Sequence, residues 1–148
     1  MAADDGVRAL QRKTAAAGAA LLVIAFATGG LLASAETKAV DADVRAISAA
    51  HLNAIFGCLW LVALAATLPW LRFARAGSGR LVLVTALAAY ANWGITVIKA
   101  FVHVSGVAWT GDHANDVVFV ALGAAVVVPS FAAALGWLYG LVGPRPGV

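Results

Sequence analysis

Four long apolar runs, separated by short polar connections, set the pattern of this chain: Thr14 to Ala35, Ala46 to Leu71, Leu81 to roughly Val107, and Val117 to Gly143. A bilayer core about 30 Å thick needs about 20 apolar residues as helix. Each run meets that length, so the pattern predicts an all-α integral membrane protein with four transmembrane helices. Short connections make consecutive helices antiparallel neighbours, which gives a single up-and-down bundle over residues 1–148 and no soluble domain.

Composition points the same way. Apolar residues make up 63% and charged residues 11%, against roughly half and a quarter in soluble domains. Lys99 is the one charge inside a run. The first run is too long for a signal-peptide core, and Ala33-Ser34-Ala35 is only a weak cleavage signal, so it is expected to remain as a span. The single cysteine, Cys58, has no partner and reads as a small apolar filler.

Lysine and arginine set the orientation. Arg8, Arg12, Lys13, Arg72, Arg75, Arg80 and Arg145 fall on one side and only Lys38, Arg45 and Lys99 on the other. Both termini are therefore expected on the cytoplasmic face of the inner membrane, with Glu36, Asp41, Asp43, Asp112 and Asp116 outside. The net charge of +3 follows from this topology. Clustered basic residues with aromatic platforms are missing, which argues against a nucleic-acid partner. Trp70 and Trp109 fit an aromatic belt.

Within this apolar background, His51 stands out because an imidazole at membrane depth is costly unless it is paired, metal-bound or exposed to a cavity. Asn53 lies close to the same depth. Asn92, Thr96, Lys99 and His103 follow at i, i+4, i+7 and i+11, one helical stripe at the same level. Plainer roles remain open for each. In the plainer reading Asn53, Asn92 and His51 only join helices by hydrogen bonds, Lys99 snorkels to the headgroups, and His113 sits in a turn-like setting and reads as solvated. Gly18, Gly29, Gly30, Gly123 and Gly136 read as packing points, and Pro129 with Ser130 predicts a kink in the fourth helix. There is no Walker loop, Gly-x-Ser-x-Gly, His-Glu-x-x-His or Cys-x-x-Cys.

The segment Ser48-Ala49-Ala50-His51-Leu52-Asn53-Ala54, closing at Leu68-Pro69 and followed by Tyr90-Ala91-Asn92-Trp93, resembles a small family of four-helix membrane isomerases, the hydroxylaminobenzene mutases and styrene oxide isomerases. The resemblance covers the second and third helices with ungapped spacing, and the first and fourth only in kind. It implies that His51 is the axial ligand of a heme b held at the subunit boundaries of a homotrimer, and that ferric iron acts there as a Lewis acid. It further implies a small aromatic substrate. The Ala-His-Leu and Tyr-x-Asn-Trp wording is closer to the mutase branch, which points first to rearrangement of an aryl hydroxylamine to an aminophenol, with isomerisation of an aryl epoxide to an aldehyde as the alternative.

Three positions depart from the family pattern. Thr96 stands where the epoxide isomerases have a tyrosine, Gly57 where they have an asparagine, and Asn53 where mutases usually have glutamate. His51 and Asn92 carry over directly, and Asn53, Tyr90, Thr96 and Lys99 complete the candidate catalytic set. Two non-catalytic alternatives stay open: a heme- or quinone-binding membrane subunit, and a scaffold or transporter subunit in which His51 and Asn92 only hold helices together. An apolar site in the outer layer leads us to expect lateral entry of the substrate from lipid.

Overall fold

The computed structural model describes residues 2–143, with side chains from residue 5 onward, and among them there is no strand. Helices α1 (Ala2–Glu36), α2 (Val44–Thr67) and α3 (Arg75–Phe101) each form one span. The fourth span consists of α4 (His113–Leu122), a π-helical turn (Gly123–Val127) and α5 (Val128–Val142). All four are long and apolar enough to cross a membrane, as the hydropathy pattern predicts.

The boundaries differ from those expected in ways that have local causes. α1 begins well before Thr14, because its polar first turns extend the helix beyond the apolar run. The third helix occupies Arg75–Phe101 rather than 81–107. It stops where His103 adopts φ 54° and the Val104 N–H reaches back to the Lys99 carbonyl, the six-to-one bond of a Schellman terminus. α1 ends in the same way, with Lys38 at φ 59° and Ala39 N–H bonded to Ser34 O. Hydropathy does not register either end, since a left-handed residue after the last turn is a backbone event.

Cross-helix bonds show the antiparallel order. At the end bearing the termini, Gln11 Nε2 donates to Ala65 O and Arg72 N–H to Gly140 O. At the far end, Asp43 caps α2 by accepting from Ala46 N–H, while its own N–H donates to Ala100 O at the end of α3. α1, α2 and α3 pack closely around Leu21, Ala25, Ala54, Cys58, Leu61 and Ala89. Cys58 is a buried filler there, as expected. Gly18 permits the approach, since a Cβ would come within 3.1 Å of Cys58 O. Gly30 and Gly123, by contrast, face open space and are not packing points.

The fourth span docks on α3 and meets α2 near the terminal end, where Ala133 joins Leu64, Leu68 and Leu81 and Trp137 Nε1 donates to Thr67 Oγ1. Pro129 has the expected effect in a specific form. Lacking an N–H and crowding the carbonyl one turn back, it is preceded by the π-helical turn that absorbs the mismatch. Outward apolar residues such as Phe131, Leu135 and Leu138 remain exposed. That suits lipid or another copy of the chain.

Candidate functional site

His51 lies about two turns, near 10 Å, inside α2 from Val44. Its side chain is half-buried and turned toward α1, with Nδ1 2.8 Å from Ala25 O. A carbonyl only accepts, so Nδ1 carries a proton, and the tautomer this selects has its lone pair at Nε2. The Ala25 carbonyl can serve both its helix and the imidazole because it has two lone pairs. Gly29 lies alongside, where a Cβ would come within 3.3 Å of His51 Cε1. One nitrogen is thus held by a backbone carbonyl, and the other has no hydrogen-bond partner among the described residues, an arrangement that metal-binding histidines share with structural ones.

Asn53 leaves α2 about 200° from His51 at 3.6 residues per turn, and faces α3. Its Nδ2 donates to Asn92 Oδ1 and to Thr96 Oγ1, both at 3.1 Å. Thr96, 3% exposed, gives its own proton to Asn92 O at 2.6 Å. That fixes the Asn53 amide orientation, because a hydroxyl whose proton is committed must accept from its next neighbour. Asn92 Nδ2 has no protein partner among the described residues and is the donor this cluster leaves available.

The candidate residues therefore do not converge around one point in the chain. His51 belongs to the α1–α2 seam and Asn53, Asn92 and Thr96 to the α2–α3 seam, so His51 is not opposite the polar stripe. The two groups share a depth but point apart, because residues 51 and 53 fall on opposite sides of a helix. Tyr90 is also outside the cluster: its hydroxyl donates to Ala17 O at 2.9 Å and ties α3 to α1. Lys99 sits one turn beyond Thr96, with Nζ donating to Ser105 O at 3.1 Å. His103 lies past the end of α3, exposed and 3.4 Å from Asp41 Oδ1. The stripe thus ends at the helix terminus. His113 is exposed at the start of α4, as its loop setting suggested.

One contributor escaped the sequence reading. Trp93 Nε1 donates to Thr28 Oγ1 at 3.0 Å, and Thr28 Oγ1 donates to Ile24 O. This chain of bonds secures the α1 segment carrying Ala25 and Gly29, on which His51 rests. Trp93 stood in the Tyr90–Trp93 motif, but nothing in α1 marked Thr28 as its partner.

The histidine has no metal cluster around it: among the described residues no three His, Cys, Asp or Glu side chains gather to hold an ion. A lone imidazole supplies one donor, so any metal held there would need its remaining donors from elsewhere. Gly57 is closely confined, since a Cβ would meet Leu21 Cδ1 at 3.0 Å and Ala89 Cβ at 3.1 Å. An asparagine there would require these helices to separate.

A family model described as styrene oxide isomerase matches residues 10–142. No curated protein and no solved structure matches the chain.

Proposed function

The chain belongs to the styrene oxide isomerase family, and from that premise we propose that this membrane isomerase binds heme b through His51 Nε2 and rearranges an aryl hydroxylamine to an aminophenol. The observation that carries the reading is the His51 geometry, with Nδ1 held by Ala25 O and Nε2 left free. Ferric heme bound there would supply a Lewis acid that draws electron density from the N–O bond. The reaction breaks N–O and one ring C–H bond, forms C–O at that carbon and a new N–H as the proton passes from ring to nitrogen, and needs no external oxidant or reductant.

The residues of the chain supply positioning. Ala25 O sets the tautomer and tilt of His51, Gly29 keeps room beside the ring, and Trp93 with Thr28 holds that part of α1. Asn92 Nδ2 is the free donor suited to a substrate oxygen, and Asn53 and Thr96 hold its amide in place. The imidazole and amide groups face apart on α2, and in the reading proposed here a homotrimer would join one chain's His51 side to the Asn92 side of a neighbour. The substrate reaches that boundary from lipid, and the positive-inside pattern sets the termini on the cytoplasmic face of the inner membrane.

A second reading, isomerisation of an aryl epoxide to an aldehyde, is favoured by the description of the matching family. The hydroxylamine reading comes first because Thr96 commits its proton to Asn92 O and Gly57 has no space for an asparagine. Purified protein decides between them. A Soret band absent in His51→Ala, with turnover of phenylhydroxylamine and little of styrene oxide, is expected. The reverse substrate preference would select the epoxide reading, and a Soret band unaffected by His51→Ala would remove this ligand.

A further inference from the structure

At the far end of the bundle, α2 and α3 part around a cleft of about 410 Å³ lined by Arg45, Ala46, Ala49, Lys99, His103 and Ser105 among others. Its walls continue the faces that carry the amide cluster. Ala46 and Ala49 precede Asn53 by seven and four residues, and Lys99 follows Thr96 by three, a rise of about 4.5 Å. Basic charge is in excess in the cleft, with Arg45 and Lys99 set against the single carboxylate of Asp43. Arg45 and Lys99 make no ion pair among the described residues, and Lys99 uses Nζ only on the Ser105 carbonyl. The acid on the wall, Asp43, has Oδ1 engaged with Ala46 N–H, and His103 faces the exposed Asp41.

Two long cations without ion-pair partners among the described residues, Lys99 about one turn beyond Thr96 and Arg45 about 12 Å along α2 from Asn53, suit a ligand with a planar oxyanion at one end and an uncharged reacting group at the other. We infer that this cleft takes the carboxylate of an aryl substrate, with Arg45 and Lys99 holding the oxyanion while the ring extends toward Asn53 and Asn92. The inference rests on the hydroxylamine reading above and narrows its substrate class to a hydroxylamine on a benzoate ring, which enters this cleft from the aqueous face in place of the lipid route of a neutral compound. The carboxylate takes no part in bond making. It orients the ring, and the N–O bond breaks and the C–O bond forms as in the unsubstituted compound. Arg45 suits the role because a guanidinium binds a carboxylate through two parallel N–H bonds.

The test compares 4-(hydroxyamino)benzoate with phenylhydroxylamine on the intact protein in nanodiscs, alongside equilibrium binding of benzoate. The carboxylated compound is expected to have a kcat/KM about tenfold or more above the neutral one, the gain of a charge-assisted hydrogen bond. Arg45→Gln and Lys99→Gln should each reduce that ratio and weaken benzoate binding, and Arg45→Lys should restore part of both. A ratio near one, unchanged by Arg45→Gln, overturns the inference and leaves the isomerase reading standing. Turnover of neither compound with Arg45-dependent benzoate binding removes the hydroxylamine reading and overturns the substrate class inferred here, while the cleft remains an anion site. Benzoate binding abolished by phosphatidylglycerol but not by phosphatidylcholine assigns the cleft to a lipid headgroup and overturns the inference.

Discussion

His51 gains its chemistry from two residues of α1. Ala25 O fixes which nitrogen carries the proton, and Gly29 leaves the ring its space. A larger side chain at Gly29 must displace the imidazole, so Gly29→Val is expected to weaken retention of the heme proposed for His51 by about tenfold, the scale of disturbed outer-sphere contacts. Soret absorbance during heme titration of the apoprotein checks this, with circular dichroism reporting that the helices persist. Asn53 offers a contrasting case, because it donates to two acceptors on α3. Asn53→Leu leaves Asn92 Oδ1 without its donor, and stability should fall by about 1 kcal/mol, as is usual for interhelical hydrogen bonds in membranes. Reversible unfolding in mixed micelles measures it.

Among the helices, the fourth span and its preceding loop carry the most backbone adjustment. Asn115 and Asp116 are buried at the start of α4 and hold the loop through Gly106 N, Ala108 O, Thr110 N and Gly111 N. Gly106 has φ 64°, and a Cβ there would collide with Val118. Gly106→Ala should therefore cost about 1–3 kcal/mol, and hydrogen exchange should quicken across residues 104–116. Pro129 has the opposite sign. With Ala in its place an N–H becomes available to the i−4 carbonyl, so Pro129→Ala is expected to close the π-helical turn and raise stability by up to about 3 kcal/mol. Slower amide exchange from Gly123 to Val127 would report the closure.

For the whole molecule, the membrane topology and the division of the site are the main consequences. Cys58 is 6% exposed, so Cys58→Ala supplies a background for labelling. Ser105→Cys is expected to react with an impermeant maleimide in intact cells, and Ala76→Cys only after permeabilisation. Labelling on the reverse sides would invert the orientation drawn from Arg and Lys. The four spans were legible in the sequence because removal of apolar side chains from water is a sum over residues and does not depend on their partners. His51 and Asn92 were legible for the related reason that polar groups in lipid are costly enough to stand out. Their directions were not. Spacing sets residues 51 and 53 on opposite faces of a helix, but only the packed helices decided which neighbour each face meets, turning His51 to Ala25 and Asn53 to Asn92. The end of α3 at Phe101 and the pairing of Trp93 with Thr28 also came from the tertiary structure. Both depend on backbone turns and on side chains distant in the chain, which local apolar patterning does not encode. The sequence by itself determined that this protein is a four-span membrane helix bundle with a histidine in its second span. Packing decided that the histidine and the amide cluster occupy different seams, because helical rotation and close contact, rather than hydropathy, set where each side chain points.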